Sequence, residues 1–264
     1  VPTRSDWISA MTARILLSVE DGIARLRLNR PDKLNALDAA MIGELATLTL
    51  QIERSEARVV ILSGEGKAFC AGGDIEAWSD EAPEAFGRHW GRDGHAAFDA
   101  LARVRLPVIA VLDGHALGGG LELAACADLR IAEEHIKIGQ PEAGLGIIPG
   151  WSGTQRAVRR FGAQAVRRMA LMGDVFSAEQ SCSLGIVDAV VETGAALAAA
   201  DAAAARILER GPRATELTKM MGNAAEGEET ERVIEALAGA LAAGSDDLVE
   251  GLAAFREKRM PRYT

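Results

Sequence analysis

Twice in this chain a short, unbroken apolar run leads into a glycine loop. Arg58 to Ser63 (RVVILS) precedes AFCAGGDI, and Val108 to Asp113 (VIAVLD) precedes GHALGGG, which runs into the helical pattern LELAACA. An apolar run without alternation is what a strand buried on both faces requires, and such strands occur where crossover helices cover a parallel sheet. The recurring strand, glycine loop and helix therefore predict an α/β fold with parallel strands joined by crossovers. The chain opens differently. Arg14 to Glu20 and Ile23 to Asn29 alternate apolar and polar residues around Asp21-Gly22, which predicts a β-hairpin. Arg30-Pro31 breaks that pattern, and Met41, Leu45, Leu48 and Ile52 then recur at helical spacing, predicting a helix to about Arg54 with Asp38 as its N-cap.

Further along, Asp80 to Arg105 predicts one or two helices ended by Pro107. LRIA and HIKIG predict strands, IGQPEAGLGIIPG a loop, and the chain from Gly153 on is helical in pattern apart from a strand-like Gly185 to Val191. Thr193 to Lys258, rich in alanine and charge, predicts a helical layer on the core or on a neighbouring subunit. The 264 residues, 48% hydrophobic and 25% charged, exclude wholesale disorder and a membrane-embedded body. Apolar stretches such as Leu106 to Leu112 fall short of the roughly 18 residues of a span, so no membrane partner is expected. Lys and Arg number 29 against 38 Asp and Glu, a formal net charge of −9, the wrong sign for a nucleic-acid partner. Cys70, Cys126 and Cys182, an odd number without CxxC spacing, fit free thiols in a reducing compartment, and with no signal pattern the expected location is the cytoplasm.

Two carboxylates stand out. Glu122 lies two residues past Gly118-Gly119-Gly120, at a helix start in the otherwise apolar LGGGLELAACA. As a lone first-turn glutamate it would merely complement the helix dipole. Three glycines after a buried strand argue for more, since they let backbone pass close to a ligand with N–H groups pointing outward, as an oxyanion hole requires. Glu142, in the loop after a predicted strand, would on its own be an exposed carboxylate. Near Glu122 in an apolar pocket, it would have the two pKa values pushed apart, one group protonated while the other accepts a proton. Neither glycine loop has the spacing of a dinucleotide or Walker motif. Cys70 lacks a recognisable partner histidine, and His89, His95, His115 and His135 lack metal-ligand spacing, so neither a thiol nucleophile nor a metal site is expected.

The ordered set RPDKLNAL, AFCAGGDI, GHALGGGLELA, GQPEAGLGIIPG, GTQR and EGLAAFREKR resembles the crotonase (enoyl-CoA hydratase/isomerase) superfamily, from about Arg14 to Lys258. The resemblance implies a crotonase-like spiral of ββα repeats in residues 1–192, holding a CoA-thioester site. It implies a helical region in 193–264 for trimerisation, as a homotrimer or a hexamer built as a dimer of trimers. It implies an acyl-CoA thioester substrate, with coenzyme A entering as part of that substrate and no permanently bound cofactor. By motif, the backbone N–H groups of Gly73 and Gly119 become the oxyanion hole. Glu122 activates water, Glu142 exchanges the α-carbon proton, and the backbone of Gly150 helps fix the water. Gly118 and Pro141 fall in the same blocks as substrate contacts. Lys33, Leu34 and Ala36, with Ala71, Asp74 and Ile75, match contacts to pantetheine and adenine, and Phe255 and Lys258 match a tail that reaches a CoA site. Both glutamates together point to an enoyl-CoA hydratase; the alternatives are another activity of the superfamily, such as double-bond isomerisation or a specialised dehydration, and more remotely RNA binding. Two departures mark the chain: Gly73 stands where alanine is common, and Trp151 follows Gly150 where a small residue is frequent.

Overall fold

The computed structural model describes residues 13–79, 82–229 and 246–263. Two compact units divide between Glu216 and Leu217.

In the first unit, β1 (Ile15–Glu20) and β2 (Ile23–Leu28) pair antiparallel. Asp21 at φ 50° and Gly22 at φ 80° supply the two positive dihedrals of the turn that matches strand twist. Helix α1 (Ala39–Glu53) follows, its first turn closed by the Asp38 side chain, which accepts from the Met41 N–H at 3.0 Å. Met41, Leu45 and Ile52 face the core, and the helix delivers the chain to β3 (Val59–Gly64), parallel to β2. The large sheet continues through β5 (Val108–Leu112) and β7 (Leu129–Glu133) to β10 (Ala189–Val191), in the order β1-β2-β3-β5-β7-β10.

Three inner strands, β3, β5 and β7, are each followed by a short strand of a second sheet. β4 (Ala68–Cys70) comes after β3, β6 (His115–Leu117) after β5, and β8 (Lys137–Gly139) after β7; these three run parallel, and β9 (Val175–Ser177) closes the edge antiparallel to β8. A helix then leads back: α2 (Arg92–Ala102) after β4 and α3 (Gly119–Ala124) after β6. This is the ββα repeat implied by the motifs. Of the second sheet, β8 was legible within HIKIG, whereas β4, β6 and β9 were not, because a three-residue segment carries no period.

The apolar runs are explained by burial on both faces. Val60, Leu62, Val108, Ala110 and Leu112 point into the main core with α1 and α2. Val59, Ile61, Ile109 and Val111 point the other way, against Ala196, Ala200, Ala203 and Ala204 of α4 (Ala196–Leu208). Residues 193–216 thus lie in the first unit. The strand expected over Gly185 to Val191 is confined to its last three residues. In the second unit, helix α5 (Asp246–Glu257) leads to Arg259, which ion-pairs with Glu250 at 2.5 Å and Glu257 at 2.6 Å. No helix among the described residues is long and apolar enough to cross a membrane.

Candidate active site

The parallel pairing of β4 with β6 sets the two glycine loops side by side. Gly119 N lies 3.3 Å from where a Cβ on Gly72 would stand, and Gly73 N lies 3.3 Å from where one on Gly119 would stand. Gly118, at φ 51° and ψ −126°, takes a backbone conformation open essentially to glycine. Its N–H donates to Gly139 O at 2.9 Å, which ties the loop to β8 and leaves Gly119 as the first residue of α3. A first-turn N–H has no helical acceptor. Among the described residues, neither the Gly73 nor the Gly119 N–H donates to the protein. Two adjacent, unused donors can stabilise a developing oxyanion.

Within the first turn of α3, Glu122 is 3% exposed. Its Oε1 accepts from the N–H groups of Trp151 at 2.6 Å and Gly153 at 2.7 Å. Burial is the largest influence and pushes its pKa up to about 7, with the charge of Glu142 adding to the rise; the two N–H bonds and Arg156 pull the other way. Arg156, itself 1% exposed, bonds Asp99 at 2.5 Å.

Glu142 opens a 3-10 turn just beyond β8. Both of its carboxyl oxygens are buried without a hydrogen-bond partner among the described residues, and burial raises its pKa. Its Oε1 comes within 2.9 Å of where a Cβ on Gly118 would stand. A buried carboxyl with no partner is expensive, and it marks a group held ready for something outside the chain.

Both glutamates face one cavity of about 260 Å³. Of the residues singled out from sequence, Ala71, Gly73, Ile75, Gly118, Gly119, Pro141 and Gly150 also line it. Lys33, Leu34, Ala36 and Asp74 do not. They form its neighbourhood instead: Ala71 N–H donates to Leu34 O at 3.0 Å, Leu37 N–H to Gly72 O at 2.8 Å and Asp74 N–H to Leu37 O at 2.7 Å, so residues 34–37 run zipped along 71–74. Lys33 pairs with Glu76 at 2.6 Å, which raises its pKa. The buried Asp74 carboxylate is engaged by Arg30 at 2.7 Å and caps the short helix Ile75–Trp78 through the Glu76 N–H at 3.2 Å. The side chain of Phe255 lies outside the described residues; Lys258, in the second unit, is exposed. Cys70 is buried, its thiol pushed up to about 12 by desolvation and bonded to Asn35 O at 3.1 Å, which removes it as a nucleophile. No three His, Cys, Asp or Glu side chains among the described residues are grouped to hold a metal ion.

The sequence reading passed over the partners of Glu122. Trp151 and Gly153 present their N–H groups because Ser152 between them sits at φ 73°, a conformation that residue type does not announce. An apolar wall completes the cavity: Trp78 and Trp90, aromatic residues for which core or pocket lining is the plain expectation, stand with Phe86, Leu145, Ile147 and Ile148, which the sequence does not single out. Part of this wall rides on a π-helical turn, Phe86–Gly91, of a kind found often at functional sites.

The family model described as enoyl-CoA hydratase/isomerase matches residues 18–264. A crotonyl-CoA hydratase of Syntrophomonas wolfei is 37% identical over 253 residues, covering 94% of this chain and 97% of that protein. A short-chain-enoyl-CoA hydratase of Clostridium acetobutylicum is 37% identical over 211 residues, covering 79% of this chain and 80% of its own. Among solved structures, an enoyl-CoA hydratase from Bacillus anthracis superposes with a TM-score of 0.77 at 33% identity, covering 95% of this chain and 99% of that one.

Proposed function

The chain belongs to the enoyl-CoA hydratase/isomerase family, and on that premise we propose that it is a hydro-lyase that adds water reversibly across the double bond of a 2-enoyl-CoA thioester. The observation that carries this reading is the pairing of Glu122 and Glu142 on one cavity beside two unused backbone N–H groups. Hydration needs a hydroxyl delivered to the β-carbon and a proton to the α-carbon, which two carboxyl groups around one water can supply.

The Gly73 and Gly119 N–H groups take the thioester oxygen and stabilise it as the enolate forms, each donor being worth a few kcal/mol. Glu122, ionised and oriented by the Trp151 and Gly153 N–H groups, accepts a proton from water as its oxygen bonds to the β-carbon. Glu142, whose pKa burial raises, supplies the proton taken up by the α-carbon. The product has gained one water. Glu122 then holds a proton that Glu142 lacks, and passing it back resets the site. Coupled carboxylates share such roles, so the assignment describes the net flow.

The remaining contacts are proposed on the resemblance: Lys33, Leu34, Ala36, Ala71, Asp74 and Ile75 toward pantetheine and adenine, with Phe255 and Lys258 in the tail that reaches a CoA site. The resemblance likewise supports a homotrimer or hexamer and a place in fatty-acid β-oxidation or a related acyl-CoA route, while the odd number of cysteines without CxxC spacing supports a cytoplasmic location.

The test is loss of the conjugated thioester absorbance when the protein meets crotonyl-CoA. Glu142→Gln is expected to reduce that rate by about 10² to 10⁴, the usual range for one acid/base group. A variant as fast as the parent removes Glu142 from the chemistry. The Glu122 value also predicts a pH limb. The ionised form is the base, so kcat/KM for hydration is expected to fall as pH drops through about 7. A profile flat from pH 8 down to pH 5 contradicts the role given to Glu122.

A further inference from the structure

We propose that the Trp151 side chain is the length gauge of the acyl pocket, confining the site to short 2-enoyl groups such as crotonyl and excluding longer straight chains. The inference rests on the hydratase reading for where the thioester sits, and deepens it by naming the acyl class.

The indole lies against both glycines of the proposed oxyanion hole. Its atoms come within 2.9 Å of where a Cβ on Gly119 would stand and within 3.7 Å of the same position on Gly73. With the thioester oxygen on the Gly73 and Gly119 N–H groups, as the hydratase reading has it, the indole fills space beside the carbonyl that a longer acyl chain would need. Nor can the ring swing aside. A Cβ on Gly94 of α2 would lie 2.2 Å from the indole nitrogen, so helix backbone presses on one face. Trp90 packs tilted against the ring and Phe98 edge-on, at centroid distances of 4.9 Å and 5.1 Å, and the indole N–H donates to Trp90 O at 3.1 Å. The side chain is 3% exposed. A ring held on every side rejects extra methylenes by overpacking, since the neighbours that would have to yield are backbone and other rings.

The remaining space agrees. About 260 Å³ must take the reacting carbons, their water and the end of the pantetheine arm, less than the roughly 300–1,000 Å³ of pockets that enclose drug-sized ligands. The gauge also separates from the catalytic hydrogen bond. Glu122 is held by the backbone N–H of Trp151, which any non-proline residue retains, whereas the length limit resides in the side chain.

The experiment compares kcat/KM for crotonyl-CoA and trans-2-octenoyl-CoA in the parent, in Trp151→Ala and in Trp151→Phe. It adds calorimetric binding of butyryl-CoA and octanoyl-CoA, which needs no turnover. One methylene in a tight pocket typically changes kcat/KM by at least about ten-fold, so the parent is expected to favour crotonyl-CoA by well over that factor. Trp151→Ala is expected to raise the octenoyl-to-crotonyl ratio at least about ten-fold, with Trp151→Phe between. Butyryl-CoA is expected to bind the parent more tightly than octanoyl-CoA, a difference that shrinks in the variants. Should Trp151→Ala fail to fold, the Phe variant and the parent's own two ratios still decide. Equal use and equal binding of short and long chains by the parent, or an unchanged ratio in the variants, overturns the gauge. Absence of hydration for either substrate, with butyryl-CoA still preferred, overturns the hydratase reading and upholds the gauge.

Discussion

Glu122→Gln is expected to lower kcat for hydration by about 10² to 10⁴ and, at pH 8, to make the folded protein more stable. The first effect follows from losing the base. The second follows from what burial does to that base. Folding raises the Glu122 pKa from its ordinary 4.5 to about 7, so the folded state favours the protonated acid. For a carboxyl shifted upward, stability falls as pH climbs between those two values, and above about pH 7 the full penalty is present. That penalty is on the order of 3 kcal/mol, most of it the cost of desolvating the anion. Glutamine keeps an oxygen to accept from Trp151 and Gly153 but carries no charge, so it escapes the penalty. Thermal unfolding of parent and variant at pH 8 and at pH 4.5 measures this. The variant should melt higher at pH 8, with the gap closing at the lower pH. A variant less stable at both values would mean that Glu122 supports the fold, and that its carboxylate is not kept at the expense of stability.

Gly120→Ala is expected to prevent folding or to cost about 3 kcal/mol or more, although it adds one methyl group. A Cβ at this position would lie 2.1 Å from the Cys70 carbonyl oxygen and 2.8 Å from its carbonyl carbon. The obstacle is the backbone of β4, not a side chain that can rotate away. The three successive glycines thus answer three demands: a dihedral at Gly118, an indole against Gly119 and a strand against Gly120. Chemical denaturation compares parent and variant directly, with Gly43→Ala as control, because an added Cβ on Gly43 meets nothing within 4 Å. A Gly120→Ala protein as stable as the control would contradict the closeness of α3 to β4.

Much of the fold was legible because its signals are local or periodic. The hairpin announced itself through Asp21-Gly22, α1 through Asp38 and the spacing of its apolar residues, and β3 and β5 through runs that later proved to be covered on both faces. Apart from β8, the second sheet was not legible. Cys70 and Ala116 pair across two strands of three residues each, too short for alternation, and their partners are distant in sequence. The site divides in the same way. Glu122 and Glu142 drew notice as charges in apolar or glycine-rich surroundings, which a sequence displays. The use of Trp151 and Gly153 as donors depends on the turn at Ser152, and the wall of Trp78, Phe86 and Trp90 depends on how a π-helical turn faces the glycine loops. The engagement of Asp74 by Arg30 and by the Glu76 N–H is likewise a tertiary arrangement that its motif does not reveal.

The loops at residues 71–73, 118–122 and 141–153 follow the second-sheet strands β4, β6 and β8, which are aligned by pairing, β4 on β6 and β6 on β8. No single turn contains a working fragment of the site. Closing it means bringing together segments up to some eighty residues apart, so loop-closure entropy is met before any part of the site is useful. Catalysis is therefore a late property on the folding route, and a partly folded chain has no activity to offer. In denaturant, turnover and the spectroscopic signal of the fold should decline on one curve, making enzymatic rate a direct gauge of cooperative unfolding in the first unit.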